Sequence, residues 1–214
     1  MRRYYRYCRV VAQALFLLLF RGRVFGTRNV PQEGGVLLVC NHQSFLDPIF
    51  CGIYVKRPLW FMARDSLFSN PFFGRLIRSV HAIPVRRGEA DLTAMKAIIA
   101  KLRENEGVCL FPEATRTTDG KIADVKAGFR LLSRKANAAI VPVLVDGAFE
   151  CWPRHQKKPK LFSRISVWYG ECVPADKVNA MKDHELSQYV TCTLRDMQKQ
   201  CRLEKFLEPF HYDN

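Results

Sequence analysis

The sequence lacks the motifs that mark several common enzyme classes. It contains no G-x-S-x-G serine-nucleophile motif, no P-loop, no H-E-x-x-H metalloprotease motif and no G-x-G-x-x-G dinucleotide motif. Covalent serine chemistry therefore has no motif support, although Ser44 stays a candidate because it lies two residues from His42. The absence of repeats, a glycine period and low-complexity tracts excludes collagen, solenoid and propeller folds.

The eight cysteines include no C-x-x-C pair. Zinc ligands usually come in closely spaced Cys or His pairs, so we expect no metal site. A chain of 214 residues with 48% hydrophobic residues buries a core large enough to need no disulfides. We therefore expect reduced thiols and a cytosolic setting.

Acidic residues are scarce, since 20 Asp and Glu stand against 34 Lys and Arg, and the formal net charge is +14. Such a charge favours an anionic partner, which is a nucleic acid, an acidic membrane surface or a phosphorylated or acidic substrate. A basic nucleic-acid-binding protein is thus one alternative. Because the sequence contains no nucleic-acid-binding motif, we expect no nucleic-acid partner.

No apolar run near the N-terminus is long enough for a transmembrane helix. Residues 10–20 are apolar apart from Gln13 and would reach only about 16 Å as a helix, half of a ~30 Å hydrocarbon core. No small-x-small cleavage site follows, which disfavours a secretory signal. Four polar residues share one side of a helical wheel: Arg2, Arg6, Arg9 and Gln13.

This pattern predicts an amphipathic helix over residues 1–22 that lies on an anionic membrane surface. Its arginines would meet lipid phosphates, and its Leu/Phe end would dip into the acyl boundary. The protein would then be peripheral, on the cytoplasmic face of the membrane. The alternative is a core helix whose arginines are merely solvated.

Beyond residue 22, short apolar runs alternate with segments of helical periodicity. Strands are predicted at 36–40, 59–63, 82–85, 108–111, 139–145 and 164–169. Helices are predicted at 48–55, 71–80, 92–102, 125–136 and 186–201. This alternation predicts one α/β domain over residues 23–214, with a mixed, largely parallel sheet flanked by helices. Two polar loops, 41–47 and 112–116, follow predicted strands, where α/β sheets carry their chemistry.

His42 and Asp47 have the residue types of a general-base pair. Five positions apart, they would not meet on a regular helix or strand. Asp47-Pro48 is typical of a helix start with Asp at the N-cap, and that turn would let Asp47 accept the Nδ1–H of His42. The Nε2 atom is then left as a general base. A helix cap without catalytic function is the alternative for Asp47.

Four ordered motifs resemble those of a known enzyme family. N-H-Q-S-F-L-D at 41–47 resembles the first motif of the glycerolipid acyltransferases, specifically the 1-acylglycerol-3-phosphate acyltransferase family. A-I-P-V-R-R at 82–87 is similar to the second motif, whose arginine matches Arg87. F-P-E-A-T-R at 111–116 is similar to the third motif, and I-V-P-V at 140–143 to the fourth. Residues 61–64 and 126–128 match the pattern between the motifs.

The resemblance implies acyl transfer from a thioester, on coenzyme A or acyl carrier protein, to the free hydroxyl of a lysophospholipid. The expected acceptor is 1-acyl-sn-glycerol-3-phosphate, which would give phosphatidic acid. The expected partners are an anionic membrane surface, the lysophospholipid and the thioester carrier, with no cofactor beyond that co-substrate. A thioester is already activated, so the reaction requires no covalent enzyme intermediate.

The resemblance also assigns roles to residues. His42 would take the proton of the acceptor hydroxyl, and Asp47 would orient His42. The implied substrate-binding residues are Ser44, Arg87, Glu113, Thr115, Arg116 and Pro142. Within that set, the two arginines and the glutamate would hold the glycerol phosphate, the threonine would help to position the headgroup, and the proline would shape the pocket.

Three positions depart from the family pattern. Ala114 and His81 stand where the family commonly has glycine, and Thr117 replaces a serine. If the backbone at Ala114 needs a positive φ, alanine costs about 1 kcal/mol or more. An added methyl group could also change the acceptor. The same chemistry on another lysophospholipid or on an acylated amino acid is therefore an alternative, as is a non-catalytic lipid-binding relative.

Overall fold

Within residues 2–86 and 91–212, which a computed structural model describes, the chain forms one seven-stranded sheet with α-helices on both faces. The strands are β1 (Arg23–Phe25), β2 (Val36–Cys40), β3 (Leu59–Arg64), β4 (Ala82–Val85), β5 (Gly107–Leu110), β6 (Ala139–Asp146) and β7 (Ser166–Tyr169). The helices are α1 (Arg2–Phe20), α2 (Asp47–Phe50), α3 (Pro71–Ser79), α4 (Leu92–Arg103), α5 (Gly128–Ala136), α6 (Ala148–Cys151), α7 (Ala175–Ala180) and α8 (Asp183–Glu204). Short 3₁₀ turns occupy Thr27–Asn29 and Asp65–Phe68.

The strands lie in the order β1-β7-β6-β2-β5-β3-β4. Neighbouring strands are parallel except β6 and β7, which are antiparallel. The predicted fold class, a mixed and largely parallel sheet flanked by helices, is confirmed. Because β2 to β5 run in the same direction, the loops that follow them meet at one edge of the sheet.

The sheet separates two apolar cores. All five residues of β2 are buried, as expected for a central strand covered on both faces. Val36, Leu38 and Cys40 face the core that contains α1 and α2. Leu37 and Val39 face the core formed with α4, α5 and α8.

Helix α1 is held against the first core by its own side chains. Phe16 and Phe20 are buried there and pack against Phe50, with ring centroids 5.0 and 5.6 Å away. Arg9 Nη1 donates to the Val55 carbonyl at 3.0 Å, and Gln13 Nε2 donates to a carbonyl of the same segment, that of Ile53, at 2.5 Å.

The surface that α1 leaves exposed is mainly apolar, and it includes Tyr7, Val10, Val11, Leu15, Leu17 and Leu18. The helix was predicted correctly, but the predicted role of its polar side was wrong for Arg9 and Gln13, which contact the protein. The Phe end likewise packs into the core. A helical wheel gives the angle between side chains and not the direction of the rest of the protein.

Element boundaries differ from the predictions mostly at helix ends. Helix α2 is a single turn rather than 48–55, and it begins at Asp47 with Leu46 as its N-cap. Helix α5 begins at Gly128 rather than 125, while α8 extends beyond 186–201 at both ends. Strand β1 and the short helices α6 and α7 were not predicted, because elements of three to six residues carry too little periodicity.

Candidate active site

The His42–Asp47 pair forms as the sequence predicts. His42 Nδ1 lies 2.8 Å from Asp47 Oδ2. The chain turns between the end of β2 and the start of α2, which brings the two side chains together. Asp47 is fully buried, whereas the side chain of His42 stays 14% exposed, so only the imidazole is open to a ligand. The carboxylate acts on any ligand through the imidazole ring.

The backbone of the loop also binds the Asp47 carboxylate. The N–H groups of Gln43 and Ser44 donate to Oδ2 at 2.6 and 2.7 Å. The N-cap side-chain bonds expected of Asp47 are absent, because its acceptor atom faces the loop that precedes the helix. This arrangement orders the loop around one carboxylate oxygen and fixes the position of His42.

The loop that follows β5 contacts both the backbone and the ring of His42. Its N–H donates to Glu113 Oε1 at 3.0 Å, and its carbonyl accepts the N–H of Thr117 at 2.8 Å. Its ring stacks on Phe111, with centroids 4.3 Å apart. The loop after β5 therefore fixes His42 in addition to Asp47.

Burial raises the pKa of the Glu113 carboxyl from 4.5 to about 7, although backbone N–H groups of His42 and Ala123 act to lower it. Glu113 is only 6% exposed. A carboxyl group with this pKa exchanges its proton near neutral pH, directly beside the backbone of His42.

Two side chains of the first motif join His42 to the remaining loops. Asn41 makes two hydrogen bonds to the backbone of Val145, donating to its carbonyl at 2.9 Å and accepting its N–H at 2.7 Å. Gln43 Nε2 donates to the carbonyl of Gly120 at 3.0 Å. The buried side-chain amides of Asn41 and Gln43 therefore fix the position of the chain at the end of β2. Sequence reasoning assigned no role to either residue.

His42 lines a cavity of about 530 Å³ at the carboxyl edge of the sheet. Its wall is mostly apolar, with contributions from Met62, Val85, Met95, Ile98, Leu110, Phe129 and Leu132. Among the described residues, three cations also line it, namely Arg64, Arg86 and Lys126, together with Asp91. The cavity therefore combines a base, an apolar wall and positive charge, which suits an anionic amphiphile.

Sequence reasoning placed the three cations in matched family segments without giving them roles. Arg64 ends β3, Arg86 follows β4 and Lys126 precedes α5, so only the sheet topology brings them together. Arg87, the predicted phosphate ligand, lies outside the described residues.

Glu113, Thr115 and Arg116 line a second cavity of about 430 Å³, which they share with Arg154 and Arg195 among others. The Arg116 guanidinium stacks on the ring of Phe45 at 3.5 Å. The structure thus brings these three predicted residues together, but within the described residues it does not include them in the wall of the His42 cavity. The Oε1 atom of Glu113 accepts the N–H of His42, which gives this residue a positioning role, and its predicted role in holding phosphate stays a prediction.

Ser44 and Pro142 are not among the described residues that line the His42 cavity. Ser44 is fully buried, and its Oγ accepts the N–H of Leu46 at 3.3 Å. Pro142 lies inside β6 opposite Val39, and its carbonyl accepts the N–H of Gly170. Both residues have structural roles, and their predicted roles at the substrate stay predictions.

The two positions where the family commonly has glycine, 114 and 81, both have left-handed backbone conformations. Ala114 has φ +63° and His81 has φ +67°. Glycine adopts this region without the steric cost that a Cβ atom brings. The condition under which alanine is strained at position 114, a positive φ, is therefore met, and Ala114 also lines the His42 cavity. His81 differs because its ring stacks on Trp60 at 4.7 Å.

Three thiols form the one group in the described part of the chain with the spacing of a metal site. The Sγ atoms of Cys40, Cys51 and Cys109 lie within 4.8 Å of one another, and all three residues are fully buried. Burial raises the pKa values of the Cys40 and Cys51 thiols, whereas hydrogen bonds with these two thiols outweigh burial at Cys109 and lower its pKa to about 6. All eight cysteines are free thiols.

The family profile described as Acyltransferase matches residues 21–146, more than half of the chain and both loops that hold His42. The chain belongs to the acyltransferase family. The prediction that it is an O-acyltransferase is therefore confirmed. Within residues 2–86 and 91–212, none of the helices of this acyltransferase combines the length and apolar character that crossing a bilayer requires.

Relatives and one solved structure resemble this acyltransferase. It is 28% identical to the 1-acyl-sn-glycerol-3-phosphate acyltransferase of Bacillus subtilis, over 67% of this chain and 71% of that protein. It is 26% identical to the Streptococcus pneumoniae protein of the same name, over 99% of this chain and 77% of that protein. The crystal structure of the Thermotoga maritima 1-acyl-sn-glycerophosphate acyltransferase, PlsC, superimposes with a TM-score of 0.76. That match covers 98% of this chain and 81% of that chain at 21% identity, and it shows a shared fold.

Proposed function

We propose that the protein transfers an acyl group from a thioester to the free hydroxyl of 1-acyl-sn-glycerol-3-phosphate, giving phosphatidic acid. The observation that carries this proposal is the His42–Asp47 pair, which opens into an apolar cavity lined by three cations. The names of the Bacillus and Streptococcus relatives support the choice of acceptor.

His42 Nε2 takes the proton of the acceptor hydroxyl as its oxygen attacks the thioester carbonyl. A lipid hydroxyl has a high pKa and is a weak nucleophile, so a base is needed at the moment of attack. The bond from the acyl carbon to sulfur then breaks, and the thiolate leaves with the proton from His42. Asp47 holds the tautomer through Nδ1–H and stabilises the imidazolium, and the acyl donor is coenzyme A or acyl carrier protein.

The cavity suits both parts of the acceptor. Arg64, Arg86 and Lys126 supply positive charge for the glycerol phosphate, and Arg87 follows directly in the sequence. The apolar wall suits an acyl chain. Arg116 and Thr115 would add charge and a hydroxyl from the second cavity. The mechanism uses no metal or cofactor beyond the thioester.

We also propose that the protein is peripheral to an anionic membrane, on its cytoplasmic face, with the helix over residues 1–22 as the membrane-contacting segment of a domain that spans 23–214. The exposed apolar surface of α1, from Tyr7 to Leu18, supports this role. Arg9 and Gln13, which were expected to face the lipid phosphates, instead donate to backbone carbonyls of the protein.

The test is phosphatidic acid formation from lysophosphatidic acid, with acyl-coenzyme A and acyl carrier protein donors assayed in parallel. We expect His42→Ala to lose about 10²-fold or more of the rate. The exposed His184 gives the matched control, and His184→Ala should keep wild-type activity. The proposal would be wrong if neither donor gave product, or if His42→Ala kept full activity.

One observation favours an acceptor other than lysophosphatidic acid for the same acyl transfer. Ala114 adds a methyl group to the His42 cavity where the family has glycine. A panel of lysophospholipids with different headgroups, together with an acylated amino acid, decides between the acceptors. A higher kcat/KM for one of these than for lysophosphatidic acid would reassign the acceptor and keep the acyl transfer.

A further inference from the structure

Three thiols from separate elements meet in the core that contains α1 and α2. Cys40 ends β2, Cys51 directly follows α2, and Cys109 lies in β5. Their Sγ atoms are all within 4.8 Å of one another, and those of Cys40 and Cys109 are 3.3 Å apart. All three residues are fully buried. We refer to them as the thiol cluster, and the proposed reaction uses none of its sulfur atoms.

Each member of the thiol cluster is connected to a part of the candidate active site. Cys40 precedes His42 by two residues. The backbone N–H of Cys51 donates to the carbonyl of Asp47 at 2.9 Å. Cys109 lies one residue before the end of β5, and the loop after β5 contacts His42. A shift of the three sulfur atoms relative to one another therefore acts on the segments that position both His42 and Asp47.

The spacing of the sulfur atoms suits one shared centre. Bonds from thiolate sulfur to a bound ion are about 2.3 Å long, which places two sulfurs on one tetrahedral centre about 3.8 Å apart. The 3.3 Å contact and the 4.8 Å limit lie on either side of that value. The three thiols can therefore reach one centre by side-chain adjustment, with the strand pairing unchanged.

The ligand atoms of the cluster select a soft centre. Thiolate sulfur binds thiophilic ions, whereas Mg²⁺ and Ca²⁺ require oxygen ligands. Structural zinc sites use four ligands, and in the described part of the chain no His, Asp or Glu joins the three cysteines. Because the cluster is fully buried, solvent does not supply a fourth ligand. The cluster therefore fits a centre that three sulfur ligands satisfy.

Charge balance narrows the choice to a trivalent centre. Three thiolates carry three negative charges, so a monovalent or divalent ion would leave net negative charge in the core. Such charge is costly in an apolar core, and the fully buried carboxylate of Asp47 lies one helical turn from Cys51. A trivalent centre bound to three thiolates is neutral.

We propose that the thiol cluster binds trivalent arsenic, taken up as arsenous acid, As(OH)₃, and that the occupied cluster inhibits the enzyme. Arsenous acid is a small neutral molecule at neutral pH. Each thiol forms an As–S bond while one As–O bond breaks, and the thiol proton leaves with the hydroxyl group as water. Three bonds are exchanged, three waters leave and arsenic stays trivalent, so the step needs no oxidant or reductant.

Inhibition follows from the position of the cluster, and this part of the proposal rests on the proposed function. Drawing the three sulfurs to one centre pulls together the ends of β2 and β5 and the turn of α2. The 2.8 Å hydrogen bond between His42 and Asp47 joins two of these segments and would lose its geometry. A displaced base lowers kcat, because proton transfer requires hydrogen-bond reach to the acceptor hydroxyl.

Intact-mass measurement under native conditions tests binding, with arsenite as the probe. The full chain is incubated with arsenite in one arm. In a second arm it is refolded from denaturant in the presence of arsenite, so that burial does not limit access. We expect one arsenic atom per chain and the loss of the three clustered thiols in a thiol titration. A dithiol reagent should remove the arsenic and restore the thiols.

Alanine variants locate the bound arsenic. Cys51→Ala and Cys109→Ala each leave two thiols, so we expect the affinity for arsenite to fall by about 10²-fold or more when the third intramolecular ligand is lost. Cys151 is buried in the same core but outside the cluster, so Cys151→Ala is the matched control and should bind arsenite as wild type does. Thermal unfolding confirms that each variant is folded, and either cluster variant decides the test.

Activity assays separate the binding site from its inhibitory role. At an arsenite concentration that inhibits wild type, Cys151→Ala should lose most of its acyl transfer activity, whereas Cys51→Ala should keep most of its own. Full activity of arsenic-bound wild type would overturn the inhibitory role. The mass measurement needs neither acceptor nor thioester, so it tests the site even if no acceptor yields product.

The mass measurement also gives the results that would overturn the site itself. Absence of bound arsenic in both arms would do so, as would unchanged arsenic binding in Cys51→Ala and Cys109→Ala. Loss of two thiols without bound arsenic would indicate an oxidised pair of Cys40 and Cys109 instead, which the 3.3 Å contact between their sulfurs makes the pair to examine by peptide mapping.

Discussion

The backbone N–H of His42 donates to the Oε1 atom of Glu113 at 3.0 Å. This bond joins the loop after β2 to the loop after β5, which are the first and third motifs of the sequence. The N–H of Thr117 adds a second bond between the same loops, at 2.8 Å to the His42 carbonyl. Glu113 thus positions the backbone of His42, the proposed general base.

The first prediction concerns the effect of Glu113 on stability. Its carboxyl has a pKa of about 7 in the folded protein and about 4.5 when unfolded. Between these pH values the folded state retains a proton that the unfolded state has released. The free energy of unfolding therefore falls as the pH rises from 4.5 to 7, and the loss is complete above pH 7.

Glu113→Gln removes this titration and keeps an oxygen that can accept the N–H of His42. We expect the melting temperature of Glu113→Gln, relative to wild type, to increase between pH 5 and pH 7 and to level off above pH 7. Glu171 is exposed and gives the control, since Glu171→Gln should show a constant difference. A constant difference for Glu113→Gln as well would contradict the prediction.

The second prediction separates the charge of Asp47 from its hydrogen bonds. The N–H groups of Gln43 and Ser44 and the ring of His42 all point to one oxygen, Oδ2. Asp47→Asn can keep an oxygen there, so we expect a folded protein whose kcat falls by about 10²-fold. Asp47→Ala should also lower stability by about 1–3 kcal/mol, because buried N–H groups lose their acceptor.

Circular dichroism melts and acyl transfer rates test this pair of variants. The expected result is a large activity loss in both variants and a larger stability loss in Asp47→Ala. Equal melting temperatures would show that the loop does not depend on the carboxylate. If Asp47→Asn kept the wild-type kcat, the negative charge of Asp47 would not contribute to the reaction rate.

The third prediction concerns backbone strain at Ala114. With φ at +63°, Ala114→Gly should raise the free energy of unfolding by about 1 kcal/mol, or the melting temperature by about 2–4 °C. Ala100 is exposed in α4 and gives a control with the opposite expected sign. Ala100→Gly should lower the free energy of unfolding by about 1 kcal/mol. A melting temperature of Ala114→Gly at or below wild type would refute the strain.

The strands and the hydrogen-bonded His42–Asp47 pair could be predicted from the sequence because their signals are local. The apolar run of β2 and the turn at Asp47-Pro48 each involve residues close together in the chain. The bond from Glu113 to His42 joins positions 71 residues apart. No spacing rule reaches that far, and the family pattern alone suggested substrate binding for Glu113.

The orientation of α1 and the cations of the cavity depend on tertiary structure in the same way. Both sides of α1 carry apolar residues, so its pattern did not show that Phe16 would face the core. Arg64, Arg86 and Lys126 come from three separate connections of the sheet. Their convergence follows from the strand order, which places β3 between β4 and β5.

The fourth prediction tests whether these cations bind the phosphate of the acceptor. Lys126 lines the His42 cavity and is exposed at its edge, so Lys126→Met should leave the fold intact. A charge-assisted bond to phosphate contributes about 1.5–3 kcal/mol, so we expect the KM for lysophosphatidic acid to rise about tenfold or more. The exposed Lys96, which is not among the residues lining this cavity, gives Lys96→Met as the control.

The comparison with a neutral lipid makes this test specific. 1-Acylglycerol lacks the phosphate but keeps the acyl chain and the hydroxyl, so its inhibition constant should be the same for wild type and Lys126→Met. An equal weakening of both lipids would mean that Lys126 shapes the cavity without recognising charge. Weakening of lysophosphatidic acid alone would assign the phosphate to the cavity of His42, since Arg116 and Thr115 line the other one.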